Sequence, residues 1–205
     1  MRGLYLSVAC IFMAAIMAVM LGGCTEGTGG IASGATGGTS ETSMSNDEVK
    51  EIFENVLNRA LVVESRICNG YGGFSVEFDK TIPNNPDYSQ VSDPEFKCTD
   101  DIRKYINETY TPECAKDFDF ILDQANPKFK DYEGQLYILN TGEGKGFNNQ
   151  YQIDSLSIKK QEKGLLELEI PVILPGSELN SVFVIKKIGG LWLLDCSLSD
   201  AIVFE

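Results

Sequence analysis

Near Pro127 the apolar residues of this chain change their spacing, and that change limits the fold more than any other feature. Before it, Val49, Ile52, Phe53, Val56, Leu57, Ala60, Leu61 and Ile67 recur mostly at steps of three and four, the stripe of an amphipathic helix. After it, Leu166, Leu168, Ile170, Val172 and Leu174 alternate, as in a strand with one buried face. Helical patterns followed by strand patterns predict an α+β fold rather than an alternating α/β one.

Local signals place the elements. Ser45 and Glu48 stand at capping-box spacing before the first helix, and Asn69-Gly70 supplies its stop. Residues 71–97 read as irregular, rich in Gly, Pro, Asn and Asp, with Phe74, Val76 and Phe78 alternating as in a short edge strand. Thr99 is expected to cap a short helix carrying Ile102, Tyr105, Ile106 and Tyr110. Thr111 and Pro112 then open another, with Cys114, Ala115, Phe118, Ile121 and Leu122 on one side. Strands are expected at Leu136 and Ile138 after the Glu133-Gly134 turn, and at Tyr151 to Ile158, where the parity switches near Asp154 as at a bulge. Further strands follow at Leu166–Leu174, at Val182–Lys187 and, past the Gly189-Gly190 hairpin signal, at Leu191–Asp195. The expected result is an antiparallel meander of four or so strands with three helices over one face.

Ahead of this domain the chain carries an address. Met1-Arg2, an apolar run from Leu4 to Leu21 and the small residues Gly22-Gly23 read as a secretory signal. The run is about 18 residues long, so an uncleaved membrane anchor is the alternative. Leu21-Gly22-Gly23-Cys24 resembles the bacterial lipobox, which implies lipidation at Cys24 and an extracytoplasmic, membrane-anchored protein. Residues 24–45 are dominated by Gly, Ser and Thr and predict a flexible tether with a reach of about 26 Å. The expected organisation is a signal over 1–23, the tether over 24–45 and a single α+β domain over 46–205.

Composition removes several function classes. The chain has no histidine, which excludes Ser-His-Asp and Cys-His catalysis and His-ligated zinc. With 17 Lys and Arg against 30 Asp and Glu, its net charge of −13 argues against nucleic acid as a partner. Cys68, Cys98, Cys114 and Cys196 allow three pairings in an oxidising compartment, or free buried thiols. Proximity in the chain favours Cys68 with Cys98, leaving Cys114 with Cys196. No C-x-x-C occurs to support a redox motif or zinc ribbon, and no D-x-[DN]-x-[DN]-G run supports a calcium loop. No metal and no cofactor is expected.

A series of fragments in fixed order carries a resemblance. It runs Tyr88-x-x-Val91-x-Asp93-x-x-Phe96, Asp101-Ile102-x-x-Tyr105, Tyr110-Thr111-Pro112-Glu113-x-Ala115 and Gly134-Gln135-Leu136-Tyr137. It closes on Gly189-Gly190-Leu191-Trp192-Leu193-Leu194-Asp195. This resembles the IseA family of bacterial DL-endopeptidase inhibitors and, more loosely, the cystatin-like and nuclear-transport-factor-like cone folds. The resemblance implies a non-enzymatic, monomeric protein that binds and blocks cell-wall hydrolases of the NlpC class. Those enzymes use a Cys and a His in an often basic groove, so an acidic inhibitor is complementary. The lipid anchor and the four cysteines depart from the family pattern.

Three groups invite other chemistry. Thr141–Phe147 has the look of a phosphate loop, yet no Ser or Thr follows Lys145 and no helical pattern comes after it. It reads instead as a strand connection or a partner-contact loop presenting Glu143, Lys145 and Phe147. The carboxylate groups Asp93 with Glu95, Asp100 with Asp101, and Asp117 with Asp119 and Asp123 read as solvated faces; a carboxylate hydrolase is the last-ranked alternative. Trp192, the sole tryptophan, is expected to pack in the core with Leu194 on its face, or to wall a pocket between the first helix and the sheet. That pocket would make the protein a small-ligand-binding lipoprotein, the second reading of its function.

Overall fold

The first helix starts where its cap predicts. The Ser45 hydroxyl accepts from the Glu48 N–H at 3.3 Å, and the Glu48 carboxylate accepts from the Ser45 N–H at 2.7 Å. From there α1 runs over Asn46–Leu61 and buries Val49, Phe53, Val56, Leu57 and Ala60, the stripe read from the sequence. A computed structural model describes residues 43–69, 73–140 and 149–202. Past Leu61 the helix widens into a π turn over Val62–Ile67, closed by the Cys68 N–H on the Val63 carbonyl at 2.8 Å. The wide turn keeps Val63, Glu64 and Ile67 on the buried side.

Where the sequence reads as irregular, the chain folds back as a hairpin of β1 (Val76–Ile82) and β2 (Asn85–Val91). Its turn places Asn84 at φ 63°, a left-handed conformation that Asn tolerates. The alternation is hidden because Glu77 faces Gln90 whereas Thr81 faces Ser89, so residues 78–80 bulge from the edge. The next helix, α2 (Thr99–Asn107), is capped one residue earlier than expected, at Cys98. Asp101 accepts the N–H groups of Lys97 and Cys98, while Thr99 turns away and donates its hydroxyl to Asp131 at 2.5 Å. Tyr110 lies beyond that helix, in a parallel bridge to Leu194. Thr111 and Pro112 open α3 (Pro112–Ala115) as predicted, and the chain then tightens into a 3-10 turn over Lys116–Ile121.

The remaining strands are β3 (Phe129–Tyr132), β4 (Gln135–Leu139), β5 (Gln150–Tyr151), β6 (Ser157–Glu162), β7 (Leu165–Leu174), β8 (Ser177–Ile188) and β9 (Leu191–Leu194). The parity switch near Asp154 is a 3-10 turn over Ile153–Ser155, which separates β5 from β6 rather than bulging one strand. Both lie on the same side of β7. The ladders run β1-β2-β4-β3 and β5-β7-β8-β9, so the expected meander accounts only for the second. The antiparallel sheet is strongly curled, a half-barrel carrying the helices in a cone-like α+β arrangement. Phe53 of α1 meets Phe183 of β8 with ring centroids 5.1 Å apart, and Tyr151 closes on the same ring at 5.9 Å. The core draws on residues 49–201 and belongs to one compact unit, Ser40–Glu205, which therefore holds its own hydrophobic interior.

Candidate functional site

Glu64 occupies a position on the apolar stripe, four residues after Ala60 and three before Ile67. The π turn carries it inward, where it is 8% exposed. Its carboxylate accepts from the Tyr110 hydroxyl at 2.8 Å and from the Leu198 N–H at 2.6 Å. Burial raises its pKa against these donors, and Asp200 adds to the rise. The Tyr110 hydroxyl is pushed strongly upward by burial and by Glu64. It is not one of the paired carboxylates that the sequence brings forward, though an acid on a buried helical face is itself a signal. Here it ties the first helix to Tyr110 and to the segment after β9.

The four thiols are free in the structure. Burial pushes Cys68 and Cys114 up to about 12 and Cys196 up to about 11, which makes them poor nucleophiles. Cys114 and Cys196 flank a seam in which the Thr111 N–H donates to the Leu194 carbonyl at 2.8 Å and the Thr111 hydroxyl donates to Asp195 at 2.7 Å. Lys128 Nζ is buried without a hydrogen-bond partner, and burial pulls it down to about 8.

Of the acids expected on solvated faces, Asp93 is buried in a clamp that Glu95 joins from an exposed position. Arg66 donates to Asp93, to Glu95 at 2.8 Å and to the Gly73 carbonyl at 2.7 Å. Its guanidinium lies 4.9 Å from the Phe74 ring centroid and 5.1 Å from that of Phe96. Asp93 is 3% exposed and also accepts the N–H groups of Glu95 and Phe96. Asp101 is a helix cap, and Asp123 pairs with Arg103 at 2.7 Å.

The surface is another matter. Phe78 stands on the β1 bulge and is 57% exposed, beside the Glu77–Lys80 ion pair. On the other side of β2, Asn140 is held by its N–H on the Asp87 carbonyl at 2.7 Å and by its side-chain amide on Ser89 at 2.7 Å. Asn140 is the residue from which loop 141–148 departs. The contact residues read from the sequence, Glu143, Lys145 and Phe147, lie in that loop, outside the described residues, as does Cys24. The sequence reading passed over Phe78 as a strand residue, since nothing in it revealed the bulge.

Trp192 packs on the core from β9 and walls a groove. The groove is an open depression of about 770 Å³ lined by Ser43, Met44, Gln161, Lys163, Lys187 and Trp192, at the end of the sheet where α1 begins. Lys187 Nζ lies 5.6 Å from the Trp192 ring centroid, and Arg59 donates to the Trp192 carbonyl at 2.6 Å. Among the described residues no cluster of three or more Cys, Asp and Glu is placed to hold a metal ion, and no helix is long and apolar enough to cross a membrane. No family model matches the chain, and no curated protein matches it. What is established is the class: an α+β protein of cone-like architecture with a half-barrel sheet.

Proposed function

We propose that this domain is a non-catalytic protein-binding module that docks on cell-wall DL-endopeptidases of the NlpC class and blocks them, held outside the cytoplasm by a lipid on Cys24. One observation carries the reading: Glu64, Asp93 and Thr111 tie segments of the interior together, whereas a large aromatic, Phe78, is exposed on the surface. Glu64, Asp93 and Thr111 with Asp195 each join separate segments through satisfied hydrogen bonds. Phe78 projects from the β1 bulge and is 57% exposed, as an aromatic anchor at a protein interface would be. The acidic balance of the chain suits a basic enzyme groove and would speed association. The small-ligand reading has less support, because the depression at Trp192 is open and edged by Lys163, Lys187 and Glu162.

The test mixes the unit Ser40–Glu205 with an NlpC-class hydrolase and follows wall lysis. Micromolar protein should slow lysis, and added salt should weaken the effect. Phe78→Ala should reduce inhibition by about tenfold, with the melting temperature recorded beside it to separate lost docking from lost stability. Undiminished lysis at micromolar protein would end the proposal.

A further inference from the structure

Tyr110 gathers the segment after β9 around itself, and two cysteines are drawn in with it. Leu194 lies in a parallel bridge to Tyr110, its N–H on the Thr109 carbonyl at 2.9 Å and its carbonyl taking the Thr111 N–H at 2.8 Å. Four residues on, the Leu198 N–H bonds the same Glu64 carboxylate that takes the Tyr110 hydroxyl. Cys196 stands midway between these two fixed points. Cys114 approaches from the other side. The Thr111 hydroxyl, which accepts the Cys114 N–H at 3.5 Å, also donates to Asp195, the neighbour of Cys196, at 2.7 Å. Phe118, one helical turn past Cys114, stacks on the Tyr110 ring at 4.5 Å, so Cys114 shares the face turned toward Tyr110. Cys114 is buried and Cys196 partly buried, both packed in the main core.

We infer that Cys114 and Cys196 are a disulfide pair, which on oxidation latches α3 to the segment after β9. The other two thiols sit elsewhere. Cys98 caps α2 beside Asp101, and Cys68 ends the π turn, where after burial the groups acting on it are Glu64 and Lys128. The Cys114 thiol is held protonated by burial and next by Cys196, as a neighbouring sulfur would do. The chemistry is two exchanges with a small disulfide, oxidised glutathione. The Cys196 thiolate, the less buried of the two, attacks one glutathione sulfur and releases a glutathione thiolate. The Cys114 thiolate then attacks the Cys196 sulfur of the mixed disulfide and releases the second. Both cysteine protons pass to the glutathiones, so the protein loses two hydrogens and one glutathione disulfide is reduced to two thiols. Thiols raised by burial exchange slowly in the folded protein, which suits a bond made once over a shuttling redox couple. The bond ties segments roughly eighty residues apart, and closing so long a loop restrains the unfolded chain.

The test refolds the unit Ser40–Glu205 from urea in a buffer of reduced and oxidised glutathione, so that burial does not limit access to the thiols. The expected product has lost two hydrogens by mass, keeps two of its four thiols, and yields a tryptic peptide pair joining Cys114 to Cys196. Cys114→Ser and Cys196→Ser should each leave all three remaining thiols free. A substitution can also disturb packing, so the latch is read in the parent as well. Hydrogen exchange at the Thr111 and Leu194 amides should slow by about tenfold or more in the oxidised form and recover with dithiothreitol. Four free thiols after refolding, a bond mapped to Cys68 or Cys98, or seam amides indifferent to reduction each overturns the inference. None of these readouts involves a wall hydrolase, so the inference and the inhibitory reading can fail separately.

Discussion

The Glu64 side chain and the Lys128 amine are both withdrawn from solvent, and burial moves them in opposite directions on the pH axis. The native Glu64 carboxyl titrates above its unfolded value, so over that interval the folded state holds more protons and stability falls as pH rises. Glu64→Gln keeps an acceptor for Leu198 and removes the titration. Relative to the parent, the variant should gain stability in urea between pH 4.5 and pH 7; a difference that stays flat with pH would contradict the assignment. Lys128 runs the other way. Its native value of about 8 lies below that of an unfolded lysine, so the unfolded chain holds more protons in between and stability rises with pH. Lys128→Met should stabilise the protein by about 1–3 kcal/mol at pH 7, a gain that shrinks as pH approaches 10. Denaturation curves at the two pH values measure it, and a destabilised variant at pH 7 would mean that the amine has a partner.

Arg66 acts between elements, joining the π turn to the approach to β1 and to the loop that leads into α2. Arg66→Ala leaves the buried Asp93 without its ion-pair partner and strips the cation from between Phe74 and Phe96, an expected loss of about 3 kcal/mol. Arg66→Lys keeps the charge but not the fork, and should recover only part of that loss in chemical denaturation. Full recovery would show that charge alone matters there. The elements were legible wherever one physical signal acted by itself. Ser45 with Glu48, Thr111 with Pro112, and the alternation over Leu166–Leu174 each fix a start or a face without help from distant residues. They were illegible where tertiary contacts overrode spacing. The β1–β2 hairpin was hidden by its bulge, and β3 was hidden by its shortness and by Asp131 turning to Thr99. The cap of α2 moved to Cys98 because Asp101 reaches the N–H groups of residues 97 and 98. Of the candidate sites, Trp192 was placed on the core face as its spacing predicts, whereas Phe78 and Glu64 needed the bulge and the π turn to acquire their positions.

At the scale of the molecule, the seam between Thr109–Cys114 and Leu194–Leu198 joins segments some eighty residues apart in the chain. Cys114 and Cys196 lie along it and Cys68 lies beneath, all with thiols held far toward the protonated form. Alkylation by iodoacetamide at pH 8 should therefore be slower at these three residues than in the urea-unfolded chain by about a hundredfold or more. Rapid labelling in the folded protein would place the seam among the locally opening parts of the molecule. The same seam orders events in time. Leu194 pairs with Tyr110, Leu198 donates to Glu64, and the Val182 N–H bonds to the Ala201 carbonyl. Residues 194–201 thus complete hydrogen bonds that helices and strands made much earlier leave open. A nascent chain delivered amino end first keeps those groups without these partners until this stretch emerges, so the closing of the seam is a late event that no earlier segment can supply.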